Sequence, residues 1–189
     1  MNSNFKNISL SILISTRPKQ WTKNLLIYLP LLFSVNESWQ FSEFSSLQLL
    51  FIKTTTAYIA FCLVTGAVYI INDLLDINHD KLHPVKSKRP IPAKSIGTGP
   101  AIISAIILFI SGIIIAYFIN IKVLAAFLFY IGLMISYSKF LKHHLYVDII
   151  TISLGFVIRA LSGALAVDIP VSNWLLICTG LGALLIAIS

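Results

Sequence analysis

The chain has 189 residues, of which 57% are hydrophobic and 11% charged, with a formal net charge of +7 and a mean hydropathy of +0.89. That apolar fraction exceeds what a soluble domain carries and defines an integral membrane protein. The Lys and Arg residues cluster between long apolar segments instead of forming one soluble face, so membrane topology accounts for them and no nucleic-acid partner is expected. Cys62 and Cys178 fall within apolar runs and lack metal or redox spacing, so neither supports a disulfide or thiol catalysis.

Residues 1–19 form a polar flank with Arg17 and Lys19, and a first span is expected over Trp21–Val35. Lys23, Asn24 and Pro30 interrupt that run, a pattern that a cleavable signal peptide would not tolerate, and Trp21 suits an interfacial anchor. After a polar turn with Glu37 and Glu43, a second span runs from Leu47 to Ile71 and leads into Asn72–Pro92, NDLLDINHDKLHPVKSKRPIP. Ile96–Ile119 is the third span, and a turn at Asn120–Lys122 opens a fourth that ends near Tyr137. Tyr137–Tyr146, YSKFLKHHLY, is a second basic loop; a fifth span reaches Val167, and Asp168–Asn173 turns into a sixth over Trp174–Ser189. That last run falls short of the roughly 20 residues a crossing needs, so the chain is expected to stop inside a helix.

The predicted fold is an all-α polytopic bundle of about six transmembrane helices, forming a single membrane-embedded domain over 1–189. Lys6, Arg17, Lys19, Lys23, the basic residues of 81–94, Lys139 and Lys142 all fall on one side of it. The positive-inside rule therefore places the N-terminus and both polar loops in the cytoplasm.

Three of the chain's seven acids, Asp73, Asp76 and Asp80, recur at i, i+3, i+7, which on one continuous helix gathers them on one face beside Asn72. Like charges so close call for a cation, and oxygen ligands without His or Cys favour Mg²⁺ over zinc. Lys81, Lys86, Lys88, Arg89 and Lys94 follow, and the prolines at 84, 90 and 92 restrict the loop that carries them. Carboxylates for a metal followed by a basic loop suit a phosphate-bearing substrate. The alternative is a solvated helix end with charged neighbours.

Arg159 lies near mid-span, where a cation costs at least ~2.5 kcal/mol without a partner or cavity. Asp148, Thr151, Gly155, Arg159 and Ser162 share one helical face, expected to be interior. Two readings stay open for Arg159: a buried pair with an acid on another helix, or a place in the site. Tyr137, Lys142 and Asp148 fit either interfacial positions or a second polar face, and Lys23 and Asn24 enter an apolar run.

The N-D-x-x-D-x-x-x-D run that closes the second span resembles the first Asp-rich motif of the UbiA superfamily of intramembrane prenyltransferases. RPKQWTKN, HPVKSKRPIP, YSKFLKHHLYVD, GFVIRALSGALA and IPVSNWLL resemble its decaprenyl-phosphate phosphoribosyltransferase branch and together span most of the chain. The resemblance implies a nine-span bundle around a cavity, so the present spans would be a C-terminally truncated form, in a bacterial or archaeal plasma membrane. It implies Mg²⁺ as cofactor on Asp73, Asp76 and Asp80, catalysis by these with Asp148, and substrate contacts from Lys23, Asn72, Lys86, Arg89, Tyr137, Lys142 and Arg159. Asp148 stands where the superfamily often has paired acids four residues apart, and Ile152 occupies the second slot. The expected reaction moves 5-phosphoribose from phosphoribosyl diphosphate to a polyprenyl phosphate, for cell-envelope polysaccharide precursors. The alternatives are transfer of a prenyl chain from its diphosphate to an aromatic acceptor, and an inactive fragment or membrane assembly partner.

Overall fold

The computed structural model describes residues 2–35, 39, 44–138 and 145–188. In chain order these form α1 (Asn2–Ser15), a 3₁₀ segment (Pro18–Tyr28), α2 (Leu29–Phe33), α3 (Phe44–Leu75), α4 (Ile77–Leu82), α5 (Thr98–Ile119), α6 (Ile121–Ser136), α7 (Leu145–Ala166) and α8 (Asn173–Ile188). The architecture is all-helical, as expected of backbone that must satisfy its own polar groups inside hydrocarbon. Leu47–Leu75, Thr98–Ile119 and Val147–Ala166 are long and apolar enough to cross a membrane, and Ile121–Ser136 and Asn173–Ile188 are shorter apolar helices. The protein is an integral membrane protein.

Three local expectations are corrected. The first span predicted over Trp21–Val35 is not one regular helix but the 3₁₀ segment followed by five-residue α2. Pro30 lies in the first turn of α2, and its ring and missing N–H prevent an α-helix from running through it. Upstream, the expected polar flank is helical: Ile8 and Ile12, one turn apart, pack on a cluster of Ile70, Ile91, Ile96, Ala101 and Ala105. Downstream, the acid face is not on one continuous helix. α3 ends at Leu75 and α4 starts at Ile77, with Asp76 between them at φ −94°, ψ 9°. The i to i−4 hydrogen bonds from Asp76 N to Asn72 O (3.0 Å) and from Asp80 N to Asp76 O (2.8 Å) carry the chain across the break.

α3 and α7 form the centre. Just over half of each spanning window, 56%, is buried, against 17% for α5, whose Ile103, Ile107 and Phe118 face outward toward lipid. α5 meets α3 through Ala101, Ala105, Gly112 and Ala116. A Cβ on Gly112 would lie 2.7 Å from Val64 Cγ2, so the contact depends on a residue without a side chain. The 3₁₀ segment is held still more closely, since a Cβ on Gly163 of α7 would fall 2.0 Å from the Ile27 carbonyl oxygen. Phe61, Phe127 and Tyr130 fill the middle, with ring centroids 4.9 and 4.7 Å from Phe61.

The bundle has two chemically different ends. At one, Lys122 in the first turn of α6 and Asp168 after α7 approach to 3.4 Å, an exposed contact. At the other lie the end of α3, α4, Tyr137 at the close of α6 and Asp148 in the first turn of α7.

Candidate active site

With 32 residues at 1.5 Å each, α3 is roughly 48 Å long, well beyond a hydrocarbon layer of about 30 Å. Its last turn therefore delivers Asp73 to the polar rim. Asp73 and Asp80 are nonetheless 1% and 3% exposed, because basic side chains cover them. Arg89 Nη1 donates to Asp73 Oδ1 at 3.1 Å and to Asp80 Oδ2 at 2.9 Å, so one cationic nitrogen joins the two carboxylates. Arg17 Nη2 donates to the same Asp73 oxygen, its guanidinium 4.8 Å from the centroid of the Tyr69 ring. Lys86 Nζ stands 3.9 Å from Asp80 Oδ1.

The loop after α4 is built to hold Arg89. Pro90, Ile91 and Pro92 are buried, and the backbone turns back through Ala93 N to Arg89 O (2.9 Å) and Ser95 N to Pro90 O (2.9 Å). Of the three prolines expected to restrict this loop, Pro90 and Pro92 are buried and Pro84 is exposed. Lys86 lies in a 3₁₀ turn over Lys86–Lys88, and Lys81 and Lys88 are exposed.

Asp76 belongs to a second face. The Tyr137 phenol is pushed up to about 12 by burial, then by hydrogen bonding to and the charge of Asp148, and by the charge of Asp76. The end of α6 thus brings Tyr137 to a hydrogen bond with Asp148 of α7 and into the field of Asp76 at the break between α3 and α4. Asp148 Oδ1 is buried and accepts no hydrogen bond among the described residues. Asn72 is half-buried on the last turn of α3. Lys142 lies outside the described residues.

These oxygens fit a hard divalent cation. Asp73 and Asp80 both turn an oxygen to one cationic atom, and Asp148 offers an unpartnered one. They form two faces, not a closed cage: among the described residues no three His, Cys, Asp or Glu side chains converge as metal ligands. Mg²⁺ needs no such cage, since it keeps several waters and takes one or two carboxylates along with substrate phosphates.

Deeper in the bundle, Arg159 is 5% exposed. Its Nε donates to Asn24 Oδ1 (2.8 Å), Nη1 to the Gly155 carbonyl (2.6 Å) and Nη2 to Tyr130 OH (3.1 Å). Phe61, Tyr130 and Phe156 present their rings to the guanidinium at 5.4, 5.1 and 5.5 Å. Neutral acceptors and aromatic faces thus satisfy the charge where the sequence suggested a buried acid. The interior face is as expected, with Thr151, Gly155, Arg159 and Ser162 buried. Asn24 turns inward and donates to Cys62 Sγ and Thr65 Oγ1, each at 3.2 Å. Lys23 turns the other way, its Nζ 5.9 Å from the Phe156 ring centroid, at the wall of an open groove of about 800 Å³. Leu26, Leu29 and Phe33 line one side of that groove and Trp174, Leu175 and Ile186 of α8 the other. Cys178 also lines it, while Cys62 is buried, as expected for structural thiols.

Sequence reasoning missed two residues. Arg17 read as part of a cytoplasmic flank, though its topology already put it on the same side as Asp73. Tyr130 lies within the fourth span, and the one signal that could have found it is a phenol placed mid-helix, which needs a polar partner.

This is a polytopic helical membrane protein with carboxylates and guanidinium groups at one rim and an apolar groove between the 3₁₀ segment, α2 and α8. The chain belongs to the UbiA prenyltransferase family, whose model matches residues 28–189. It is 32% identical over 182 residues to a decaprenyl-phosphate phosphoribosyltransferase of Mycolicibacterium smegmatis, covering 96% of this chain and 56% of that protein. A protein of the same description from Corynebacterium glutamicum is 32% identical over 185 residues, covering 96% and 54%. The chain thus spans about half the length of the curated relatives it matches. A solved structure, from work on digeranylgeranylglyceryl phosphate synthase in membranes, superimposes with a TM-score of 0.70 at 20% identity, over 98% of this chain and 60% of that one.

Proposed function

We propose that the protein acts in transfer of 5-phosphoribose from phosphoribosyl diphosphate to a polyprenyl phosphate, with release of pyrophosphate on the cytoplasmic side. The observation that carries this reading is the convergence of buried Asp73 and Asp80 on one guanidinium nitrogen at the end of a membrane-spanning helix. The names of the phosphoribosyltransferase relatives support the choice of sugar donor and lipid acceptor.

Asp73 and Asp80 on one face, and Asp76 and Asp148 on the other, would hold Mg²⁺, which neutralises the charge that builds on a departing diphosphate. Arg89 and Lys86 stand beside the first pair and hold phosphate oxygens by charge-assisted hydrogen bonds. The apolar groove takes the polyprenyl tail, with Lys23 in its wall to meet the lipid phosphate. As the bond from ribose C1 to the diphosphate breaks, C1 gains oxocarbenium character and the lipid phosphate oxygen attacks it. That nucleophile is already an anion, so no protein base has to remove a proton. Positioning and fixed charge supply the rate. Arg159, satisfied within the bundle, sets the shape of the wall beneath Lys23 through Phe156.

Purified chain in lipid nanodiscs, given phosphoribosyl diphosphate labelled in its ribose and decaprenyl phosphate, should move label into the organic phase. Label that stays aqueous, with turnover of a prenyl diphosphate and an aromatic acid instead, overturns the reading.

A further inference from the structure

We propose that Arg17 and Arg89 are removable counter-ions: they neutralise the Asp73–Asp80 pair while no metal is bound, yield those oxygens to a divalent cation, and turn to the phosphate groups that arrive with it. This rests on the reading of the rim as a metal and diphosphate site. Three observations carry it beyond that reading.

The first is that the atoms coincide. Asp73 Oδ1 accepts from both Arg17 and Arg89, and Asp80 Oδ2 accepts from the same Arg89 nitrogen. A metal that uses these oxygens and guanidinium groups that use them cannot hold them together, because the cations repel and the lone pairs are shared. The second is which partner can leave. The acid side chains are 1% and 4% exposed, whereas those of Arg17 and Arg89 are 26% and 28% exposed. The acids are fixed within the protein and the cations lie over them toward water, so exchange needs only the arginines to swing outward. The third is how the two arginines are attached. Arg17 sits between α1 and the 3₁₀ segment with φ 53°, a left-handed conformation disfavoured for a residue with a Cβ. The ion pair to Asp73 and the Tyr69 ring hold it there. Arg89 precedes the buried Pro90–Pro92 anchor, so its backbone stays at the rim when its side chain moves.

The arrangement solves a problem of sequence. Two carboxylates buried this closely repel when both are ionised, yet a metal site must keep them ionised and ready. The arginines set positive charge against both carboxylates and hold them in place, and after exchange the same groups would be free to meet phosphate oxygens. Arg17, absent from any reading of the acidic motif, thereby becomes a binding residue for phosphate.

The test measures Mn²⁺ bound by the detergent-solubilised full chain, from the paramagnetic resonance of the free ion, and separately the retention of labelled inorganic pyrophosphate at saturating Mn²⁺. Without pyrophosphate, Arg89→Gln should bind Mn²⁺ roughly fivefold tighter or better than the unaltered chain, a coupling of ordinary size. Arg17→Gln should shift in the same direction by less, and Arg89→Lys should stay close to the unaltered chain. With Mn²⁺ saturating, pyrophosphate retention should fall in both Gln variants. Equal or weaker Mn²⁺ binding by Arg89→Gln, in a protein whose unaltered form binds the ion, overturns the proposal while leaving the metal site standing. If Arg89→Gln does not fold, Arg17→Gln is judged by the same criterion. No Mn²⁺ uptake by the unaltered chain, with or without pyrophosphate, removes the metal reading and the exchange with it.

Discussion

Two arginine environments lie in this bundle, and they solve opposite problems. At the rim, Arg17 and Arg89 meet formal negative charge on Asp73 and Asp80 and keep a side open to water. In the interior, Arg159 meets no carboxylate among the described residues and closes its charge with Asn24, Gly155, Tyr130 and three aromatic rings. A carboxylate next to Arg159 would also have to be desolvated, and replacing such buried pairs by neutral groups is often no loss. At the rim the paired cations are the partly exposed members, 26% and 28% against 1% and 4% for the acids. The interior arginine is satisfied by neutral partners within the bundle, whereas the rim arginines pair with carboxylates and stay partly open to water.

The largest expected effect lies at the rim. Asp73→Asn keeps the shape and an acceptor for Arg17 but removes the charge on which both guanidinium groups converge. Phosphoribosyl transfer should fall at least ~10²-fold, the scale for losing one preorganised charged contact, and because Asp73 is buried beneath partly exposed cations, stability should also fall, by a few kcal/mol at most. Initial rates alongside thermal unfolding in nanodiscs read both. A large fall in melting temperature with the rate per folded molecule preserved would make the rim structural and erase the contrast.

The interior should respond the other way. Asn24→Leu removes the acceptor of Arg159 Nε and leaves a buried cation short of a hydrogen bond, at about 1.5–3 kcal/mol. Tyr130→Phe keeps the ring face and loses one longer bond, so its cost is about 1 kcal/mol. Transfer per folded molecule should hold in both variants. If KM for either substrate changes while unfolding does not, Arg159 belongs to the site and the division between rim and interior fails.

The comparison also shows what could be read from the chain. Apolar runs fixed α3, α5, α6, α7 and α8 to within a few residues, because each must present a hydrophobic surface along its whole length. The acidic motif and its basic loop were legible for the same reason: charges that interrupt such runs stand out. What escaped was pairing between distant segments. Arg17 and Asp73 are 56 positions apart, and Arg159 and Asn24 are 135 apart, so no local period connects them. The break at Asp76 was hidden because a spacing of i, i+3, i+7 reads the same whether or not the helix is continuous. The short 3₁₀ segment was marked only by Pro18 and Pro30, which say where an α-helix cannot run but not what replaces it.

The smallest effect tests whether the rim has two faces. Burial raises the Tyr137 phenol from 10.0 to about 12, helped by its hydrogen bond to and the charge of Asp148 of α7 and by the charge of Asp76 in the break between α3 and α4. Because the folded value exceeds the unfolded one, the protonated phenol contributes stability that is fully present below pH 10.0 and is lost as pH rises toward 12. The unfolding midpoint should decline across that window in the unaltered chain, and Tyr137→Phe should lack this part of the decline. The tyrosinate absorbance that separates the two proteins should then titrate near pH 12, not near 10.0. Titration at the ordinary value would mean that the phenol is neither buried nor set beside the carboxylates of Asp148 and Asp76. The rim would then reduce to the single Asp73–Asp80 pair under its arginines, and the second face would have to be sought elsewhere.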